Sequence, residues 1–262
     1  MNKLIIGVAD KTAEFIPAKP GFLLIDDGPV ADAFLQKFKR AKQFDPHSHS
    51  FNPLPMTYRK ARDFADVVFG EAGRDTLTVR NGKRALVRLL LKAKTLDRLA
   101  GGKNDDEQEA MAMVDDLPLS PVLRDVLCKP TSRWILSGAS IVARISRAEI
   151  GDHDARILGA LLISQFKGQI IVPDFGFYAR DSHASLIREN RLTAGVYSLS
   201  ELDKRLRQMC LLMETKAAGC TYEDSEVLAK YEGHVPGTNA FNALVRGAME
   251  GSAGEGLYMT VL

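Results

Sequence analysis

Asp152-His-Asp-Ala-Arg-Ile-Leu-Gly-Ala-Leu-Leu-Ile-Ser-Gln-Phe166, followed three residues later by Ile170-Ile-Val-Pro-Asp174, settles the fold class. The first part is apolar nearly all round (Ile157, Leu158, Leu161, Leu162, Ile163, Phe166), the pattern of a helix buried against a sheet. The second is a continuous apolar, β-branched run, as expected of a central parallel strand covered on both faces. Pro173 falls at its last position, where a missing ladder donor is tolerated. The strand ends in an acid, Asp174.

Moving outward, the same alternation repeats. Downstream, the sequence predicts a helix over Ser182–Asn190, a buried strand over Thr193–Leu199, and a helix over Glu201–Lys216 with Leu202, Leu206, Met209, Leu212 and Met213 inward. A helix over Tyr222–Tyr231 follows. A glycine-rich stretch (Gly247, Gly251, Gly254, Gly256) then leads to a last strand, Leu257–Leu262. Upstream, strands are predicted at Leu4–Val8 and Phe22–Ile25. The turn Asp26-Asp-Gly-Pro29, a helix over Asp32–Phe38 and a segment ending at Phe44-Asp45-Pro46 complete the opening of a βαβ unit. Short strands are predicted at Trp134–Leu136 and Ser140–Ile145. Between them and the first unit lie helices over Tyr58–Phe69 and Ala85–Leu99, short ones over Met111–Val114 and Val122–Leu127, and a solvated acidic loop at Gly101–Glu107. The expected architecture is α/β, a mainly parallel sheet with a mostly helical insertion. Residues 1–57 and 130–262 form the core and 58–129 the insertion.

The 262 residues suffice for such a domain, and 45% apolar with 26% charged content is that of a soluble globular protein. A net charge of +2 provides no bulk electrostatic attraction for nucleic acid, so any such contact must come from locally concentrated charge. Cys128, Cys210 and Cys220 are far apart, form no CxxC pair and are odd in number. They read as reduced core thiols. No apolar run reaches the roughly 20 residues of a membrane span, and the apolar stretch at Leu4–Val8 is too short for a signal peptide. The expected location is cytoplasmic.

Three stretches, in order, resemble the HerA–FtsK superfamily and the related conjugative coupling ATPases: Gln43-Phe-Asp-Pro-His-Ser-His-Ser-Phe-Asn-Pro-Leu54, the run Arg144–Phe166 leading into Ile170–Asp174, and Ile187-Arg-Glu-Asn-Arg-Leu-Thr-Ala-Gly-Val-Tyr-Ser-Leu-Ser-Glu-Leu202. The resemblance covers about Gly21 to Met213. It implies a P-loop (RecA-like) core, with Asp174 in the place of the Walker B acid and Thr193–Leu199 as the sensor strand.

The departures from that pattern bear on chemistry. A working P-loop, GxxxxGK[ST], exposes backbone N–H groups to phosphate, neutralises it with Lys and holds Mg²⁺ through the hydroxyl. The matching turn, Ile25-Asp-Asp-Gly-Pro-Val-Ala-Asp-Ala-Phe34, has the single glycine Gly28, no lysine and no hydroxyl residue. Asp26, Asp27 and Asp32 place negative charge where triphosphate belongs, each close pair costing about 1 kcal/mol in water and about 4 near a protein surface. Gly82-Lys83 is followed by Arg-Ala and lacks the upstream glycine. After Asp174 comes Phe175 instead of a Glu to polarise water, and the sensor strand offers Ser198 in place of Gln or Asn. Three losses together imply a pseudo-ATPase that expects no cofactor. It would assemble with itself or with an active ATPase in DNA translocation, packaging or transfer, with DNA contact open.

Other constellations have two readings each. Asp45, His47 and His49 form either part of a metal site or a polar loop, no further ligands lying nearby. Asp174, Asp181 and His183 at a sheet's carboxyl end suggest a metal-dependent nuclease, in which Asp45 would join. A divergent ATPase that takes its lysine from elsewhere, with ATP and Mg²⁺, is the other enzymatic alternative. Arg188 and Arg191 either reach a neighbouring subunit's γ-phosphate in trans or complement the dipole of a helix carboxyl end.

Overall fold

The computed structural model describes residues 2–7, 12–17, 19–50, 52–69, 77–94, 96, 108, 121–128, 139–180, 183–250 and 257–259. The expected Met111–Val114 helix, Trp134–Leu136 strand, Gly101–Glu107 loop and Asp181 lie outside them. The strands are β1 (Lys3–Ile6), β2 (Phe22–Ile25), β3 (Lys42–Phe44), β4 (Ile141–Ala143), β5 (Gln169–Val172), β6 (Leu192–Val196), β7 (Glu214–Ala217) and β8 (Leu257–Met259). They form one sheet in the order β3-β4-β2-β5-β6-β1-β7-β8. The pairs β2/β5, β5/β6, β1/β6 and β1/β7 are parallel, and β8 joins β7 antiparallel. The sheet is thus the mainly parallel α/β sheet that the sequence predicts.

Burial follows position in the sheet. β2 and β6 are buried at every residue, and β1 and β5 at all but the first. That is the requirement for strands covered on both faces. β7, nearer an edge, alternates: Thr215 and Ala217 are buried, Glu214 and Lys216 half-buried. The sequence predicts one helix over Glu201–Lys216 and no strand where β7 lies. The structure breaks that span into a 3-10 turn Leu199–Glu201, a helix Lys204–Cys210 and β7. The Leu/Met spacing imitated a helical face, but Leu212, expected inward, is 65% exposed. Pairing with β1 outweighs local helix propensity over Glu214–Ala217.

The chain divides into two compact units. One comprises Met1–Lys42, Ala139–Val142 and Gly168–Leu262; the other comprises Gln43–Gly138 and Ala143–Lys167. β3 and β4 run from the first into the second. In the first unit, Ile5, Phe15, Phe22, Leu24, Val30, Ala31, Phe34, Val142 and Ile171 form one apolar cluster. The Phe22 ring meets Phe34 and Phe38 edge-on at 5.0 and 4.9 Å, a geometry that aromatic quadrupoles favour. The helix Pro29–Lys37, started by proline at its first position, supplies the phenylalanine face. A helix absent from the sequence reading, Asn239–Glu250, packs Phe241 and Val245 on Ala229 of the Tyr222–Tyr231 helix.

The second unit rests on three helices. Tyr58–Phe69 packs against Leu77–Lys92 and against Asp152–Gln165. Ala61, Phe64, Leu86, Leu90, Leu158 and Leu161 are at most 3% exposed. The Leu77–Lys92 helix starts eight residues before the expected Ala85 and stops at Lys92. Among the described residues no helix is long and apolar enough to cross a membrane.

Candidate functional site

In an open parallel sheet, ligands lie outside the carboxyl ends of strands whose outgoing connections run in opposite directions. The strand order gives two such places in the first unit. From β2 the chain leaves toward β3, while from β5 it leaves toward β6. From β1 it leaves toward β2, while from β6 it leaves toward β7 on the far side of β1. The turn after β2, the acid after β5 and the glycine after β1 therefore stand along one end of the sheet.

After β2, the half-buried Asp26 folds back over its own turn. Its Oδ2 accepts from the Gly28 N–H at 3.0 Å and from the Ala31 N–H at 2.8 Å. These are amino-terminal donors of the Pro29–Lys37 helix, the groups an anion would use. A built-in carboxylate holds them, and Asp27 and Asp32 are exposed beside it. Gly28 has an ordinary negative φ of −106°, so it confers no special backbone conformation. This turn does not fit a triphosphate.

After β5, Asp174 sits at the start of a short helix, Phe175–Tyr178. Phe175 is fully buried, its ring 5.9 Å from the His183 ring. His183 is itself buried, and burial, with the nearby Arg180 cation, depresses its pKa to about 3. Glu201 passes directly above this helix: a Cβ on Gly176 would fall 2.0 Å from Glu201 Oε2. Burial pushes the Glu201 pKa up, backbone N–H groups of Tyr197 and Ser198 pull it down, and the charges of Asp174 and Asp224 add to the rise. Glu201 is anchored as half of a capping box. Its carboxylate accepts from Tyr197 and Ser198, while the Ser198 hydroxyl accepts from the Ser200 N–H at 3.1 Å. Ser198 therefore serves the turn after β6.

After β1, Gly7 has φ +105°, and a Cβ there would fall 2.0 Å from the Ala218 carbonyl oxygen, so only glycine fits. Its N–H bonds Val196 O at 3.0 Å. Thr12 opens the helix Thr12–Phe15, whose Glu14 receives Lys3 Nζ at 2.5 Å and Lys216 Nζ at 2.6 Å. Burial raises the Glu14 pKa, but the hydrogen bonds from Lys216 and Lys3 outweigh it and the net shift is downward. No site is predicted from sequence at this strand end, although Gly7, Lys11 and Thr12 form a visible signal there. Glycine and lysine there stand four apart, against six in GxxxxGK[ST].

The other candidates are dispersed. Arg188 is exposed at the end of the Ala184–Arg188 helix. Arg191 donates to Glu189 Oε2 at 2.8 Å and to Gly168 O at 3.1 Å, at the amino ends of β5 and β6, opposite Asp174. Asp45, His47 and His49 belong to the second unit. Asp45 accepts from the His47 N–H at 2.9 Å and from Ser48 Oγ at 3.2 Å, and His47 Nε2 meets Glu149 at 3.2 Å. Among the described residues no three His, Cys, Asp or Glu are placed to share a metal ion. Cys210 and Cys220 are buried; Cys128 ends the helix Pro121–Cys128.

No family model and no curated protein matches the chain. The solved structures that resemble it include the following two. VirB4 of Thermoanaerobacter pseudethanolicus superposes with a TM-score of 0.65 at 11% identity, covering 100% of this chain and 89% of that one. The plasmid coupling protein TrwB, in complex with ADP and Mg²⁺, gives 0.55 at 13% identity, covering 87% and 73%. At these identities the likeness is one of fold: the chain adopts the α/β fold seen in VirB4 and in the coupling protein TrwB.

Proposed function

We propose that the chain is a catalytically degenerate, ATPase-like subunit of a cytoplasmic DNA-transfer, packaging or translocation assembly, joining copies of itself or an active ATPase. One observation carries the loss of hydrolysis. The residue after Asp174, where a carboxylate would polarise the attacking water, is Phe175, fully buried. The two carboxylate oxygens of the nearby Glu201 accept from the backbone N–H groups of Tyr197 and Ser198. A steady-state assay with Mg-ATP, alone and with single- and double-stranded DNA, tests this. Turnover at the roughly 1–10³ s⁻¹ of ordinary enzymes would refute it.

A second reading is favoured by the strand order. β1 lies between β6 and β7, beside a switch point, and Gly7, Lys11 and Thr12 follow it. A lysine and a hydroxyl there would hold nucleotide and Mg²⁺ without hydrolysing it, supplying the lysine missing after β2. Lys11 itself lies outside the described residues. Calorimetric titration with Mg-ADP tests it: binding lost in Lys11→Ala and kept in Asp26→Ala supports this reading, and the reverse refutes it.

A further inference from the structure

The overall charge of +2 conceals a local excess in the second unit. The helices Tyr58–Phe69 and Leu77–Lys92 carry Arg59, Lys60, Arg62, Arg80, Lys83, Arg84, Arg88 and Lys92 against Asp63 and Asp66, a balance of +6. The second helix has no acid at all. Its apolar stripe of Ala85, Leu86, Leu89 and Leu90 is buried, whereas Arg80, Arg84 and Arg88, at four-residue spacing, are exposed in a row along the helix. With Arg62 and Lys83 they line a cavity of about 480 Å³ whose wall includes Tyr58. Asp66 lies in the same wall and pairs with Lys83 at 3.1 Å, both half-exposed. A pair of that kind contributes little net stability, and among the described residues of the lining five basic side chains stand with the single carboxylate Asp66.

We infer that this groove is a docking site for the phosphodiester backbone of a single-stranded nucleic acid. A compact anion needs convergent donors, whereas Arg80, Arg84 and Arg88 spread over about 12 Å of helix axis, suited to a repeated charge. Side chains of 65% and 42% exposure, Tyr58 and Leu91, also line it. An open aromatic ring beside a cationic track is the combination that lets unpaired bases stack while the backbone is neutralised. The inference stands independently of whether nucleotide binds at the other unit.

Fluorescence anisotropy of a labelled 30-nucleotide mixed-sequence DNA strand with the full chain, at several salt concentrations, tests it. Neutralising about four phosphates predicts a slope of log K against log salt near −3. Arg84→Gln/Arg88→Gln, which keeps good helix formers on an exposed face, is expected to flatten the slope by about 1 to 1.5. Tyr58→Ala is expected to weaken binding about 5- to 100-fold with the slope unchanged. Lys39→Gln/Arg40→Gln, on the other unit, is the control. The inference is overturned by absent binding, by an unchanged slope in the double variant with its circular dichroism intact, or by tighter binding of duplex that ignores Tyr58→Ala. Competition by polyglutamate as effective as that of unlabelled strand at equal charge would assign the groove to an acidic protein instead.

Discussion

Acidification should destabilise this fold through His183 more than through any carboxylate between pH 7 and 5. The ring is 5% exposed, lies against Phe175, and has its pKa depressed to about 3 by burial and by Arg180. The unfolded chain titrates the same imidazole near 6.5. Between those values the unfolded state binds the extra proton, so stability rises with pH there and falls on acidification. Integrating from pH 7 to pH 5 gives a loss of about 2 kcal/mol from this one group. Glu14, with its lowered pKa, acts in the same direction but only as pH falls through the carboxylate range, below this window. Asp63 and Glu201, with raised values, are common to wild type and variant and cancel in the comparison. The assay is urea denaturation of wild type and His183→Phe at pH 7, 6 and 5. Wild type should lose about 2 kcal/mol more than the variant over that range, whatever the absolute cost of the substitution. A His183 resonance that titrates near pH 6.5 in the native protein, or a pH-independent difference between the two proteins, would refute the reasoning.

Asp26→Ala removes the carboxylate bonded to Gly28 and Ala31 and should cost about 1 kcal/mol in thermal unfolding; no change would mean that those bonds contribute nothing. Gly195→Ala drives a Cβ to 2.2 Å from the Pro173 carbonyl oxygen and 2.7 Å from the Phe15 ring, so a loss of about 3 kcal/mol is expected. Gly28→Ala, whose nearest contact would be 3.7 Å, should cost no more than about 1 kcal/mol, and equal losses at the two sites would be inconsistent with the packing. Cys210, its pKa pushed up to about 12 by burial and by Asp203, should resist iodoacetamide at pH 8 until urea is added, read by peptide mass spectrometry.

How legible an element was depended on whether its stabilising contacts are local. β2 and the helices Tyr58–Phe69 and Tyr222–Tyr231 match their predicted bounds, because continuous burial or a one-sided apolar stripe is written into adjacent residues. β7 was missed because Glu214-Thr-Lys-Ala217 becomes a strand only by pairing with β1, some 210 residues away in sequence. The Asn239–Glu250 helix did carry Phe241, Leu244, Val245 and Ala248 at helical spacing, obscured by Gly247 and the glycines that follow. The basic groove was invisible to a whole-chain sum, because charge of one sign on one helix face is averaged against acids elsewhere. The three acids of the Asp26–Asp32 turn read as repulsion alone. The structure gives Asp26 a second role, as the anion that its own helix binds.

Strand order is the property that a linear reading reaches last, and it bears most on the nucleotide question. The ordered motifs point to the turn after β2, whereas the sheet places the end of β1 at a second switch point. The two turns differ in what they hold: a carboxylate occupying helix amides after β2, and a forced glycine followed in sequence by lysine and threonine after β1. Binding and hydrolysis therefore separate physically. On the proposed reading, whichever turn holds phosphate, the position after Asp174 that would polarise water is taken by a phenylalanine with no exposed surface, its ring 5.9 Å from the neutral His183. Replacing Phe175 with glutamate would bury a charge in an apolar cavity at a cost of several kcal/mol rather than create a base. On the proposed reading, loss of hydrolysis is built into the core packing and would persist even with nucleotide bound.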